Sequence, residues 1–257
     1  MITSTSNDKI KHVAMLSKSA KARREEGTFV VEGERIASEV PQDLLEECFV
    51  TEGYTEGDRI AGIFSYGVTP TVVSEAVFKK MSDTQSPQGI LCVCRKKTVT
   101  LADILASKKD GSLKVLVLEK IQDPGNLGTM IRTAEGAGFD AVIADEGTAD
   151  AYNPKVTRST MGSLFRMPVI YTQDLHAAVD LLKENHVSIY AAHLSGDTDY
   201  RKAGYGNRLA FLIGNEGNGL SDEISAKADK LVKIPMHGKL ESLNAAVAAA
   251  LLMYSVE

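Results

Sequence analysis

The chain has 257 residues, 44% hydrophobic and 25% charged, which predicts one or two soluble globular domains and excludes a disordered or fibrous chain. Three cysteines, with no CxxC pair and no histidine cluster beside them, argue against a disulfide framework or structural zinc and fit a reducing compartment. A net charge of −5 offers no overall attraction to nucleic acid, and the lack of any apolar run of signal-peptide or membrane-span length predicts a cytoplasmic protein.

The charge is unevenly placed. Within residues 1–24 stand six basic side chains, Lys9, Lys11, Lys18, Lys21, Arg23 and Arg24, against the single acid Asp8, a local balance of +5. Ile10, Val13, Leu16 and Ala20 recur there at helical spacing, which predicts an amphipathic helix with its lysines outward. Such a face is either merely solvated or follows a phosphate backbone. Residues 28–31 (TFVV) read as a strand, and 32–47 (EGERIASEVPQDLLEE) as helix broken at Pro41. Apolar runs follow at 48–51, 62–68 and 70–74. Then come a helical stretch at 74–82, a turn at Ser86, Pro87, Gln88 and Gly89, and a strand at 90–93. The polar stretch 95–112 carries one short helical patch. The predicted division is a first α/β domain at 1–97, a linker at 98–112 and a second domain at 113–257.

From Leu113 the alternation sharpens. Strands are predicted at 113–119 (LKVLVLE), 141–145, 167–171, 187–193, 209–214 (LAFLIG) and 231–236, with helices at 129–137, 153–165, 175–186 and 221–230. This pattern predicts a parallel α/β sheet. The last helix, 244–256 (NAAVAAALLMYSV), is apolar nearly all round, so it belongs to a core or an oligomer interface.

Ligands of open parallel sheets sit at the carboxyl ends of the strands. Three junctions there are polar and glycine-rich. The first, 123–139 (DPGNLGTMIRTAEGAGF), has turn chemistry in DPGN and places Asn126 and Arg132 six residues apart across a helix start. It lacks the GxGxxG turn of a dinucleotide enzyme such as a dehydrogenase. The second, 211–224 (FLIGNEGNGLSDEI), sets Asn215, Glu216 and Asn218 among three glycines, with Ser221 or Asp222 as helix cap. The third, 234–244 (IPMHGKLESLN), places Ser242 and Asn244 at a helix N-terminus, where they either cap or hold partial negative charge; His237 reads as a loop residue.

Taken together and in this order, NLGTMIRTAEGAGF, LIGNEGNGL and IPMHGKLESLNAAVAAAL resemble the three motifs of the SpoU (TrmH-like) family of RNA ribose methyltransferases. More weakly, FVVEGERIASEV and VSEAVFKKMSDTQSPQGI resemble that family's substrate-binding domain. The resemblance implies a C-terminal α/β knot (a trefoil knot) on a parallel sheet, preceded by a small α/β, L30e-like RNA-binding domain. It implies S-adenosylmethionine as cofactor, held by Gly214, Ile234, Met236 and Leu243, and no metal. It carries catalytic roles onto Asn126, Arg132, Glu216, Ser242 and Asn244, and a homodimer through the C-terminal helix. Lys9, Lys11, Arg23 and Arg24 are the residues expected to attract RNA. The implied reaction is methyl transfer to a ribose 2′-hydroxyl, with 23S ribosomal RNA favoured over transfer RNA. A non-catalytic RNA-binding protein on the same fold is the rival from another class, but it would be expected to have lost the catalytic residues.

Overall fold

In the computed structural model, which describes residues 1–54 and 67–256, Asn7 opens helix α1 (Asp8–Lys18) by accepting the Lys9 amide on its side chain. The apolar run expected at 62–68 lies mostly outside the described residues. Ser19 ends α1 and caps α2 (Ala20–Glu26), and Gly27, at φ +67°, turns the chain into strand β1 (Thr28–Glu32). The helix expected over 32–47 is corrected. Only α3 (Glu34–Ala37) and a 3-10 turn at Gln42–Leu44 are helical, and residues 45–47 open strand β2 (Leu45–Thr51). Pairing with strand β4 (Ile90–Arg95) overrides the helical preference of LLEE.

With β3 (Thr71–Val73) these strands form a sheet of order β1-β4-β2-β3, antiparallel except where β2 meets β3. Helix α4 (Glu75–Met81) joins α1 over this sheet, where Ile10, Val13 and Leu16 pack with Val77, Phe78, Met81, Phe49 and Leu91. Burial of roughly 1.5–3 kcal/mol per side chain outweighs the few tenths to be had from the exposed Lys9–Glu47 and Lys11–Asp8 pairs. The apolar stripe holds α1.

This unit comprises Met1–Thr98 together with Asp150–Phe165. The later segment supplies helix α7 (Pro154–Thr160), packed on β1. The helix expected over 153–165 stops at Thr160 because Met161 and Gly162 take φ of +53° and +94°; a 3-10 turn at Ser163–Phe165 follows.

The second unit comprises Val99–Ala149 and Arg166–Glu257. It opens with α5 (Leu101–Ser107), set by a capping box between Thr100 and Asp103 inside the stretch expected as linker. Its strands are β5 (Leu113–Leu118), β6 (Ala141–Asp145), β7 (Val169–Thr172), β8 (Ser188–Ala192), β9 (Thr198–Asp199), β10 (Arg208–Ile213) and β11 (Lys230–Lys233). They pair in parallel in the order β7-β6-β5-β10-β8-β11-β9. The near-continuous apolar runs of β5 and β10 sit centrally, as sheets covered on both faces require. Val115, Val117, Ala210 and Leu212 pack there with Val179 and Leu182 of α8 (Leu175–Glu184).

In this unit two helix boundaries lie five residues from expectation. Helix α6 (Pro124–Gly136) starts five residues before Thr129: Asp123 accepts the Asn126 amide, and Pro124 fills a first-turn position that needs no N–H. The helix expected over 221–230 shortens to α9 (Asp222–Ser225). The last helix, α10 (Ala245–Met253), packs on α6 and β10 with Ala246, Ala249, Leu252 and Met253 buried, while Val247 and Leu251 remain exposed.

Candidate active site

Parallel pairing sends β5, β10 and β11 to the same carboxyl edge, and the three glycine-rich segments leave the sheet there. After β10 the chain folds back tightly. Asn215 and Gly219 exchange backbone hydrogen bonds of 3.0 and 2.9 Å. A Cβ on Gly214 would lie 2.1 Å from the Leu220 nitrogen and 2.2 Å from the Gly219 carbonyl carbon, so only glycine fits. Asn215 fixes the interior of the loop, since its Oδ1 accepts the Gly217 amide at 2.8 Å and its Nδ2 donates to the Lys120 carbonyl at 2.8 Å. The far end is tied by Glu119, a buried carboxylate at the end of β5 that accepts the Ser221 amide and hydroxyl at 2.8 and 2.7 Å.

That scaffold presents Glu216. Its Oε1 accepts Asn126 Nδ2 at 3.1 Å and the Asp123 amide at 3.2 Å, and its Oε2 accepts the Gln122 amide at 3.3 Å. Asn126 Oδ1 in turn accepts Asn244 Nδ2 at 2.9 Å. Asn244 Oδ1 caps α10 by accepting the Ala246 and Val247 amides. One line of hydrogen bonds therefore joins all three segments. Partial desolvation pushes the Glu216 carboxyl up, but the bonds from Asn126 and the backbone amides outweigh it and hold its pKa below the usual carboxylate range. Ionised, Glu216 only accepts, which turns the Asn126 NH2 toward it and leaves Oδ1 for Asn244.

Arg132 lies on α6, six residues beyond Asn126 and so about 9 Å along the helix axis. It is exposed, with no hydrogen bond or ion pair among the described residues. Ser242 is exposed and similarly unpartnered. The structure thus links Asn126, Glu216 and Asn244 and leaves Arg132 and Ser242 free to engage a ligand. Gly214, Ile234, Met236 and Leu243 are half-buried at the ends of β10 and β11 and in the approach to α10. Sequence reasoning missed Glu119 and, though it marked Asn215 in the second junction, gave it no role. The signal for Glu119 was present, a lone charge closing the apolar run LKVLVLE.

Residues 114–254, which include this whole network, match the SpoU rRNA Methylase family. The chain belongs to that family. This SpoU methylase is 37% identical over 255 residues to the 23S rRNA (guanosine(2553)-2′-O)-methyltransferase RlmP of Bacillus subtilis (strain 168), covering 98% of this chain and 97% of the relative. Among solved structures it matches an RNA 2′-O ribose methyltransferase at TM-score 0.83 and 31% identity, over 99% of this chain and 96% of the other. It also matches an AdoMet-bound rRNA methyltransferase from Sinorhizobium meliloti at TM-score 0.82 and 26% identity, over 99% and 95% of the two chains.

Residues 7–92 match the MRM3-like substrate binding domain. Here one of the four residues expected to attract RNA, Arg23, is corrected. Arg23 is 1% exposed; it donates to Asp150 Oδ2 at 2.7 Å and to the Leu16 carbonyl at 2.6 Å, so its charge is neutralised internally. Lys9 pairs with Glu47 and Lys11 with Asp8, both on the surface. Of the four residues expected to face RNA, Arg24 alone is exposed without an ion pair among the described residues.

Proposed function

We propose that this SpoU methylase transfers the methyl group of S-adenosylmethionine to a ribose 2′-hydroxyl of RNA, with 23S ribosomal RNA the favoured substrate. The observation that carries this is the line from Glu216 through Asn126 to Asn244, which gathers three separate segments beside an unpartnered arginine. Family membership and the AdoMet-bound relative support the methyl donor. A near full-length match to a 23S enzyme, together with the substrate-binding domain match, favours ribosomal over transfer RNA. A 23S substrate places the reaction in the cytoplasm.

The residues present suit that donor. Gly214 lets the main chain close without a side chain, while Ile234, Met236 and Leu243 offer half-buried apolar surface for a flat ring and a thioether-like chain. When bound, S-adenosylmethionine supplies a methyl group already activated on a sulfonium. The protein's tasks are then alignment and removal of one proton. Glu216 fixes Asn126, and Asn126 fixes Asn244 at the mouth of α10. Ser242 would donate its hydroxyl to the donor's carboxylate. Arg132 grips the phosphate beside the target ribose with its planar fork. A guanidinium stays protonated in proteins, so Arg132 would act by position, and its part in moving the hydroxyl proton toward solvent would run through the phosphate it holds.

The assembly we infer is a homodimer. Thr129, Tyr200, Val247, Leu251 and Tyr254 border a largely apolar groove of about 540 Å³ along α10, continuous with the exposed side of that helix. The occupant it fits is the same helix of a second copy.

The test is Arg132→Lys, which keeps the charge and removes the fork. Turnover on a 23S transcript should nearly vanish while calorimetric binding of S-adenosylmethionine persists; near-normal turnover refutes the assignment. Mapping 2′-O-methylated nucleotides in cells with and without the gene identifies the target, and the guanosine named for the Bacillus relative is the first to examine. A change confined to transfer RNA would reassign the substrate.

A further inference from the structure

The first unit holds a cavity of about 370 Å³ that the methyl-transfer reading does not use. It lies between the end of β1, the first turn of α3, the loop at 84–88 and the C-terminal end of α7. Two arginines border it. Arg35 is exposed, and its guanidinium makes no hydrogen bond or ion pair among the described residues. Arg158 is anchored, its Nη2 donating to Asp83 at 2.9 Å, while its Nη1 is buried without a partner. A buried guanidinium N–H left without an acceptor is destabilising, and an anionic acceptor reaching that wall relieves it.

The remaining walls suit a base better than a bare anion. Gln88 Oε1 accepts the Glu34 amide at 3.0 Å, which aims its side chain and leaves its NH2 to donate. Ser86 is exposed, with a free hydroxyl among the described residues. Ile36 and Met161 supply apolar surface, and Met161 is held at φ +53°, a left-handed conformation uncommon for a side chain of its size. The one carboxylate in the wall, Glu32, is already satisfied by Ser82, Thr84 and the Asp83 amide. Cationic forks, a planar amide, hydroxyls and an apolar face in a space of ligand size together match a nucleotide.

We propose that this cavity receives one unstacked nucleotide of the substrate RNA, with Arg35 and Arg158 on its phosphate and Gln88 and Ser86 at its base. This rests on the reading that the substrate is RNA. Sequence-specific recognition of RNA favours such splayed bases in loops and bulges.

The test uses the full-length protein, a full-length 23S rRNA transcript in filter binding across a salt series, and two exposed positions outside the catalytic network. Arg35→Ala should weaken RNA binding about tenfold near 0.1 M salt and reduce the salt slope by about one. Ser86→Trp, which fills the cavity mouth without changing charge, should weaken binding at least as much with the salt slope unchanged. Both should keep wild-type melting temperature, wild-type affinity for S-adenosylmethionine and wild-type turnover at saturating RNA. Unaltered RNA binding in Ser86→Trp overturns the cavity, even if Arg35→Ala binds weakly, because a surface charge then suffices. A wild-type protein that neither binds nor methylates RNA overturns the substrate reading and this proposal with it.

Discussion

Replacing Gly214 with alanine tests the geometry of the site most directly. The new methyl carbon would sit 2.1 Å from the Leu220 nitrogen and 2.4 Å from the Gly219 oxygen, contacts with main chain that no rotamer change relieves. The loop has to open. Opening breaks the two Asn215–Gly219 backbone bonds, at about 0.5–1.5 kcal/mol each, so the variant should lose about 2 kcal/mol. For a unit of this size that is a fall in melting temperature of about 4–8 °C. A displacement of about 1 Å at Glu216 would also uncouple it from Asn126 and cost about a hundredfold in turnover. Gly217→Ala is the control, because its Cβ would meet only Asn215 Oδ1, at an ordinary 3.4 Å. Scanning calorimetry and single-turnover methylation read the two effects. Wild-type melting and turnover in Gly214→Ala would refute the close approach on which the site is built.

Asn126→Asp sets a second carboxylate 3.1 Å from Glu216, and the pair then shares a proton with one pKa raised. Wild-type activity should be flat down to about pH 5, since Glu216 titrates below the usual carboxylate range, whereas the variant should be weak at pH 7 and recover as pH falls; a variant profile parallel to wild type counts against the linkage. Arg23→Gln leaves Asp150 without its buried partner and should cost about 3–5 kcal/mol in urea unfolding, against about 0.5 kcal/mol or less for Arg24→Gln. Equal costs would mean that the Arg23–Asp150 pair is not structural. Leu251→Glu, on the exposed side of α10, should convert a dimer to a monomer in sedimentation, and a wild-type monomer at tens of micromolar ends the dimer proposal.

Much of this protein is legible in one dimension. The apolar runs of β5 and β10, short and bounded by turn signals, read as buried parallel strands, and glycine spacing marks the loops that leave them. Asn126, Glu216 and Asn244 lie in the polar junctions that follow strands, and it is the resemblance to the SpoU motifs that marks them as site residues. Boundaries are harder to read, because one chemistry serves two structures. Asp123-Pro124-Gly125-Asn126 suits a turn or the first turn of a helix, and the protein uses it as the latter. LLEE favours helix in isolation and becomes strand once β4 offers hydrogen bonds.

What residue type and spacing decide here is local: alternation, caps, forced glycines, and the side-chain inventory from which a methyl-transfer site could be drawn. Which strands become neighbours, and so whether Asn126 meets a glutamate 90 positions away and an asparagine 118 positions away, is decided only when the sheet assembles. The same holds for Arg23 and Arg24, identical in charge and adjacent in sequence, one sealed against Asp150 and the other left in water. Burial is a property of the surroundings, and surroundings are made by contacts that no local window contains.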